Sequence, residues 1–488
     1  MTLTPVEQKK ADDLVLTVSK DTFSSAILND LKNYLLCSEY QLIAFMHNKG
    51  AWQGPLPLAP PAFTHSSGNI QLGLFLYWFN NPGLLCNESI QAIALTLDKG
   101  LALPRSQMTQ VNYRHLCNTE MVYHDGSIIS IKKWMTYDQG WFVSFISLVE
   151  TVIQKRWYHN GQFPVPHTPQ PLTLSGARNG LVNVALVGSW GTGDAPALAV
   201  MDKIVSLKPD YIIHLGDACY SDTPRPGSNN SQRCDDHNRE VNNFLNHWPA
   251  SFNGSSFTLN SGHEMYSGAN SLFNDILNPP GSPFAAQQGW SCFALEFGGW
   301  TILGLDTAYN GTASDAFMSG NLGPADGPQV KWIQSLQLNP SNTIVLTHHP
   351  GIAYDASAKY ELWDQVNASL NNTDPFAWYW GQTRNGIVYK RPLQVPYKQP
   401  QIKSNIFARC AGHGALPYGI AAKLHNNPNV YWQSGNPVPG HSPLVHNGFV
   451  MLTLQAVNNR VTKIIENFFD TSSAIHAPVW SKMIYKRT

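Results

Sequence analysis

The chain is poor in charge: Asp, Glu, Lys and Arg make up only 13% of its 488 residues, about half the usual share. The 32 basic residues balance the 32 acidic ones, so no field of one sign extends over the protein. This balance argues against partners that are attracted by overall charge, such as nucleic acid or an anionic membrane surface. We expect no nucleic-acid partner, and any bound anion must be held by local groups.

Long hydrophobic runs and a secretory leader are also missing. The longest apolar stretches, residues 70–79 and 141–153, are shorter than the ~20 residues that span a bilayer. The first ten residues, MTLTPVEQKK, lack the apolar core of a signal peptide. We expect no membrane span, and either a cytoplasmic location or export by a route that uses no signal peptide.

Cysteine is sparse and scattered. The seven cysteines form no C-x-x-C pair, which argues against a disulfide framework and against a cysteine-rich zinc site. Apolar residues, by contrast, make up 43% of the chain and tryptophan occurs 15 times, enough for sizeable hydrophobic cores. A chain of 488 residues predicts about two or three domains.

A proline-rich segment divides the chain. Prolines recur through residues 162–172 (QFPVPHTPQPL), where they disfavour both a helix and a central strand. We place a linker at residues 161–178, after an N-terminal domain of residues 1–160 that is predicted to be mostly helical. Helical spacing of apolar residues recurs in 24–36, 87–97 and 138–155. This domain carries no catalytic constellation, and it is interpreted either as a protein-partner domain or as a cover for the active-site face.

After the linker, short apolar runs alternate with helical ones, the pattern of an α/β layer. The expected elements are a helix at 195–207 and strands at 182–187, 211–215, 292–297, 301–305, 343–347, 449–456 and 461–465. We expect this domain to span residues 179–470, with residues 471–488 as a C-terminal tail.

Polar residues follow directly after these apolar runs, where α/β sheets bind their ligands. The loops read GSWGTGD from Gly188, GDACYSD from Gly216, SGHEMY from Ser261, THHP from Thr347 and AGHGA from Ala411. Asp, His and Glu at repeated strand ends favour a site for hard or borderline cations. The first loop is no P-loop, because Asp194 stands where the phosphate-binding lysine would be.

These five loops, in this order, resemble the motifs of the calcineurin-like metallophosphoesterases, above all the branch that includes the purple acid phosphatases. That family carries an Asp-containing first loop, Gly-Asp-x-x-Tyr, Gly-Asn-His-Glu/Asp, a His before Pro and Gly-His-x-His. The resemblance covers about residues 180–470. It implies an α/β fold, a two-sheet α/β sandwich of the metallophosphoesterase type, preceded here by the largely helical N-terminal domain.

The resemblance also implies a pair of divalent cations that hydrolyse a phosphoric ester, because paired cations polarise phosphoryl oxygens and supply a hydroxide nucleophile. Carried over to this chain, it makes Asp217 the catalytic carboxylate that bridges the cations and places Tyr220 beside the first one. His348 and His413 become ligands of the second cation. Mn, Fe, Zn and Mg are all compatible with this pattern.

The same resemblance makes His263 the general acid that protonates the leaving alkoxide, with Glu264 as its orienting neighbour. Three positions depart from the family: Ser189 replaces the first Asp ligand, Gly262 replaces the Asn of Gly-Asn-His, and Ala415 replaces the second His of Gly-His-x-His. These losses fall mainly on the first cation site. We therefore expect at most one tightly bound cation and weak hydrolysis.

Replacement ligands are available at other positions, namely Asp194, Asn260 and the CDDH sequence at 234–237, although acidic loop residues are more often solvated. Two functions remain open. One is a phosphoric ester hydrolase with one or at most two divalent cations, acting on a small-molecule or protein phosphoester. The other is an inactive pseudophosphatase that serves as a binding or scaffold module. Fold alone does not decide between them.

Overall fold

The computed structural model describes residues 120–122, 128–130, 157–164, 171–176, 180–193, 195–218, 241, 243–312, 317–395, 402–416, 424–439 and 445–487. The chain divides into two compact units. The first comprises Met1–Arg156, Ser221–Asp236 and Ala313–Ala316, and the second comprises Trp157–Tyr220, His237–Thr312 and Phe317–Thr488. The helices predicted at 24–36, 87–97 and 138–155 lie outside the described residues.

The described strands, in chain order, are β1 (Glu120–Val122), β2 (Ile128–Ser130), β3 (Leu172–Thr173), β4 (Leu181–Val187), β5 (Tyr211–His214), β6 (Ser255–Thr258), β7 (Phe293–Phe297), β8 (Trp300–Leu305), β9 (Thr343–Thr347), β10 (Ala377–Trp380), β11 (Gly386–Tyr389), β12 (Leu393–Val395), β13 (Ile402–Ser404), β14 (Phe407–Ala411), β15 (Val430–Gln433), β16 (Gly448–Val457), β17 (Arg460–Asp470) and β18 (Trp480–Lys486). The described α-helices are α1 (Ala195–Ser206), α2 (Gly262–Met265), α3 (Pro328–Ser335) and α4 (Glu361–Ser369). Short 3-10 or π-helical turns lie at Tyr158–Gly161, Leu245–His247, Leu272–Leu277, Ala285–Gln287 and Pro340–Asn342. No helix among these residues is long and apolar enough to cross a bilayer.

In the first unit, β1 pairs antiparallel with β2. The second unit contains two large sheets. The eight-stranded sheet has the order β15-β11-β14-β10-β9-β8-β7-β3, and the six-stranded sheet has the order β18-β17-β16-β4-β5-β6. Strands β8, β9, β10 and β14 run parallel, as do β4, β5 and β6. The second unit is thus an α/β fold with two mixed sheets.

Sequence pattern accounts for these elements. Strand β4 reads LVNVALV, and its last four residues are all buried, as expected for a strand inside a sheet. In helix α1 the apolar residues Ala197, Val200, Met201 and Ile204 are buried at helical spacing. The turn between β16 and β17 has positive φ at Asn458 (49°) and Asn459 (57°), the backbone that a two-residue hairpin favours. The strands and helix expected in the α/β region are confirmed, and β17 extends five residues beyond the prediction, to Asp470.

Two segments expected outside the domain take part in the six- and eight-stranded sheets. The predicted linker at 161–178 contributes β3, which pairs parallel with β7, and it buries Phe163 and Leu174. The predicted tail at 471–488 contributes β18, which pairs antiparallel with β17. Both are edge strands, whose pairing depends on a partner distant in sequence, so the local pattern did not reveal them.

A single apolar core joins the two sheets. It contains Val184 and Leu186 of the six-stranded sheet together with Ile302 and Leu346 of the eight-stranded one, all at most 1% exposed. The side chains of the two sheets are therefore packed against each other as in a sandwich.

A buried ion pair crosses this core. Arg409 of β14 donates to Glu466 of β17, with Nη2 2.6 Å from Oε1 and Nε 2.9 Å from Oε2. The Tyr379 hydroxyl of β10 donates to the same carboxylate at 2.6 Å, and Arg409 Nη1 donates to the backbone carbonyl of Ala408 at 2.8 Å. Every charged atom of the pair has a partner, which is the condition for burying such a pair in a core.

We expect Arg409→Ala to lower the free energy of unfolding by about 3–5 kcal/mol, because Glu466 is then left buried without its partner. The matched control is Lys359→Ala, which removes the surface pair with Asp364 and should cost at most about 1 kcal/mol. Urea unfolding followed by tryptophan fluorescence measures both values. Equal costs for the two variants would contradict a structural role of the buried pair.

Candidate functional site

The loops after β4, β5, β9, β10 and β14 meet at one edge of the sandwich, where their backbones are in direct contact. The Gly188 amide donates to the carbonyl of Ala411 at 2.9 Å. A Cβ on Gly188 would lie 2.5 Å from the Cα of Gly381, and a Cβ on Gly412 would lie 2.2 Å from the Gly381 carbonyl oxygen. Only glycine permits such an approach. Because these strands deliver their loops to one edge, the polar residues at their ends are brought together.

Asp217 lies at the centre of this edge. It follows β5 with a positive φ of 67°, a backbone conformation that costs a residue with a side chain about 1–3 kcal/mol. Its carboxylate is almost fully buried and accepts two hydroxyl hydrogen bonds, from Ser189 to Oδ2 at 2.8 Å and from Ser261 to Oδ1 at 2.9 Å. Each carboxylate oxygen is thus held by a serine.

Two imidazole rings face the same oxygen of Asp217. Nδ1 of His263 lies 3.1 Å from Oδ1, and Nε2 of His348 lies 3.3 Å from it. Nδ1 of His348 lies 2.9 Å from the carbonyl oxygen of Leu215 and must donate to it, since a carbonyl only accepts. In the neutral ring, Nε2 then presents a lone pair to the carboxylate, and a proton or a cation is needed to make this contact favourable.

The charge states of His348 and Asp217 determine whether this contact is favourable. Burial lowers the pKa of His348, and the attraction of Asp217 and the Leu215 carbonyl does not fully offset it. Burial acts to raise the pKa of Asp217, but His348, His263 and the Ser189 hydroxyl outweigh it and hold that pKa well below its usual range. Near neutral pH the site therefore contains an ionised Asp217 beside a neutral His348, and this arrangement attracts a cation.

The hydrogen bonds shown for the carboxyl group of Glu264 go to Ala218 and Ser261 rather than to His263, the residue that it was expected to orient. Its Oε1 accepts from the backbone amide of Ala218 at 2.5 Å, and its Oε2 contacts the hydroxyl of Ser261. The side chain is completely buried, and burial followed by the charge of Asp217 raises its pKa to about 8. A protonated Glu264 can donate to Ser261, which leaves the single hydroxyl proton of Ser261 for Asp217.

His413 has neighbours other than those predicted from the sequence. Its ring stacks on Phe468 with the centroids 6.3 Å apart, and a Cβ on Gly448 would lie 2.9 Å from its Nε2. Burial lowers its pKa to about 4. The flanking Gly412 and Gly414 approach Gly381 and Gly188 respectively, so the side chain between them points to the opposite side, towards β16 and β17. The structure therefore brings Asp217, His263 and His348 together but turns the His413 ring towards the core.

Two of the three positions at which the sequence differs from the resembled motifs have surroundings that fit the residue present. A Cβ on Gly262 would lie 2.7 Å from the carbonyl oxygen of Phe317, so an Asn has no room there. The Ser189 hydroxyl donates to Asp217 at 2.8 Å and lies 3.2 Å from the Gly381 carbonyl oxygen. Asn260 donates its amide to Asp306 at 3.1 Å.

Other predicted residues lie outside the described part of the chain: Tyr220, Asp194 and the sequence at 234–237. Ser261 was missed by the sequence reasoning. Its signal was its position directly before Gly262–Met265, where it caps α2 by accepting the His263 amide. Since serine is common at such positions, the signal did not indicate its second role at Asp217.

Among the described residues, no group of three or more His, Cys, Asp and Glu side chains is arranged to hold a metal ion. The donor atoms at the centre still suit one cation in kind, because a carboxylate oxygen and an imidazole lone pair face each other there. Two protein ligands are fewer than a tight site normally uses, so any cation would be bound weakly.

The raised pKa of Glu264 predicts that stability falls as the pH rises from about 4.5 to about 8. Over this interval the unfolded chain has lost the proton and the folded protein still holds it, so the unfolded state binds fewer protons. In Glu264→Gln this dependence is absent. The free energy of unfolding of the variant minus that of the natural protein should therefore increase by more than about 1 kcal/mol from pH 5 to pH 8.

Urea unfolding at each pH measures this difference, with the exposed Glu361→Gln as the control. A difference between the Glu264 variant and the natural protein that stays constant over this range would mean that Glu264 is ionised in the fold.

The chain is similar to a solved structure described as GAP50, the anchor in the inner membrane complex of Plasmodium, with 11% sequence identity and a TM-score of 0.42. The alignment covers 63% of this chain and 90% of the other. No protein-family model matches the chain, and no curated protein sequence matches it either.

Proposed function

We propose that this chain is a metallophosphoesterase-like hydrolase with a reduced site, which cleaves a phosphoric ester weakly with one divalent cation. The observation that carries the proposal is the pair of acceptor atoms, His348 Nε2 and Asp217 Oδ1, only 3.3 Å apart. The Leu215 carbonyl fixes the proton of His348 on Nδ1, so the other nitrogen is left to face a carboxylate. A positive charge between them relieves this repulsion.

Asp217 and His348 are the residues that would hold the cation. A divalent cation, when bound, would polarise a phosphoryl oxygen and lower the pKa of a coordinated water. Because His263 lies on the same side of Asp217, its ring is placed to hold a proton for the leaving alkoxide. Ser189 keeps the other carboxylate oxygen occupied with a neutral hydroxyl, which supports weak rather than efficient hydrolysis.

The second candidate is an inactive pseudophosphatase that acts as a binding module. One observation favours it: the hydroxyls of Ser189 and Ser261 satisfy both oxygens of Asp217 without any cation. Under this alternative, the retained Asp217 and histidines stabilise the loops, and the edge of the sandwich serves as a recognition surface.

The test combines cation content with turnover. We expect the full chain, in equilibrium dialysis against Mn²⁺, to bind at most one equivalent and to hydrolyse para-nitrophenyl phosphate slowly. Asp217→Asn and His348→Ala should lose at least about 90% of both signals, since each removes one of the two donors. The exposed His476→Ala is the matched control and should keep both. Elemental analysis and release of nitrophenolate are the measurements.

Three outcomes separate the alternatives. Loss of cation and turnover in both site variants supports the hydrolase. No cation and no turnover with Mn²⁺, Fe²⁺, Zn²⁺ or Mg²⁺ in the natural protein supports the pseudophosphatase. Two tightly bound cations would contradict the single-cation proposal.

A further inference from the structure

We propose that Glu264 is a positioning residue, which holds Asp217 in its left-handed backbone conformation and fixes the direction of its carboxylate. The proposal rests on the proposed function only for its effect on cation binding. The positioning itself follows from contacts within the protein and has its own measurement.

The need for such a residue comes from the backbone. Asp217 has a φ of 67° and follows Gly216 with a φ of 90°, so two successive residues are left-handed. Glycine adopts this conformation freely, whereas aspartate does so at a cost and persists there only when neighbouring groups hold it. The Gly191 amide, which donates to the Asp217 carbonyl at 3.1 Å, is one such group, and it lies on the side of β4.

Glu264 supplies the restraint on the opposite side. Its Oε1 accepts the amide of Ala218, the residue directly after Asp217, at 2.5 Å. Its Oε2 contacts Ser261, whose hydroxyl donates to Oδ1 of Asp217 at 2.9 Å. One carboxyl group is therefore linked both to the main chain beyond Asp217 and, through a serine, to the side chain of Asp217.

The burial and contacts of Glu264 indicate a positioning role rather than direct contact with a substrate. The side chain is 0% exposed, and both carboxyl oxygens are engaged with Ala218 and Ser261. Its short helix α2 begins at Gly262, and Ser261 is the N-cap of that helix. The helix and its N-cap residue therefore place Glu264 and Ser261 side by side against the loop that carries Asp217.

A carboxamide would preserve this arrangement. In Glu264→Gln the amide oxygen of the side chain can accept from the backbone amide of Ala218. Its amide nitrogen can donate to the hydroxyl oxygen of Ser261, so the Ser261 hydroxyl keeps its own proton for Asp217. Glu264→Ala removes both links. Ser261→Ala removes the link to the carboxylate and keeps the one to the Ala218 amide, so the two effects can be separated.

A buried carboxylate elsewhere in the same unit provides the matched control. Asp470 is also buried and accepts the amides of Ser472 and Ser473 at 2.9 and 3.2 Å. Asp470→Ala therefore reproduces the loss of a buried carboxylate that binds loop amides, without touching Ala218, Ser261 or the residue before Ser261.

The experiment measures hydrogen exchange of peptic fragments that contain Ala218, and Mn²⁺ affinity by calorimetry, on the full chain. In Glu264→Ala we expect exchange at Ala218 to rise at least tenfold and Mn²⁺ affinity to fall at least tenfold. Glu264→Gln should stay within threefold of the natural protein in both. Ser261→Ala should keep the protection of Ala218 and lose Mn²⁺ affinity. Asp470→Ala should leave both readouts within threefold.

Unchanged exchange at Ala218 in Glu264→Ala would overturn the proposal, as would an equal rise in Asp470→Ala. If Glu264→Ala does not fold, the Gln and Ser261 variants decide: loss of Ala218 protection in Glu264→Gln overturns the proposal, and the split expected of Ser261→Ala supports it. A natural protein that binds none of Mn²⁺, Fe²⁺, Zn²⁺ and Mg²⁺ would refute the proposed function, and the exchange of Ala218 would still decide the positioning role.

Discussion

The contact between glycine backbones at the edge of the sandwich is the constraint on which the candidate site depends. Gly188, Gly381 and Gly412 come from three different loops, and a single methyl group on any of them would overlap a main-chain atom. Because these main chains touch, the loops cannot shift independently. Ser189 directly follows Gly188, and the backbone carbonyl of His348 accepts the Gly381 amide at 3.1 Å. Both residues are thereby held against Asp217 from opposite sheets. The backbone contacts therefore fix the relative positions of the loops, and the side chains of the site depend on those positions.

Much of the α/β unit could be predicted because its elements carry strong local patterns. The apolar run of β4, the period of α1 and the Asn458-Asn459 turn each specify their structure within a few residues. The edge strands β3 and β18 could not be found in this way. Leu172 and Thr173 form a strand only because β7 offers them partners 123 residues later, at Leu295 and Glu296, and proline-rich neighbours hide the pattern.

The site was predictable in its residues and less so in its geometry. The rule that ligands bind at strand ends selects Asp217, His263 and His348, and these side chains do meet. The same rule selects His413. In an extended loop, however, successive side chains point in alternating directions, and the order of the motifs does not show which direction a given residue takes. The role of Ser261 depends on a contact with Asp217 across 44 residues of chain, which no local signal specifies.

The pairing of β4 with β16 has a consequence for synthesis of the chain. Leu186 lies opposite Val450, so the centre of the six-stranded sheet joins the first of its strands along the chain, β4, to the fourth, β16. During translation, β4 can pair early with β5, and β5 with β6, but the other edge of β4 stays open until some 260 further residues have left the ribosome. For that time an apolar strand edge is exposed to other chains. The protein thus depends on β16, a strand distant in sequence, to cover the open edge of β4 in the sheet that presents Asp217.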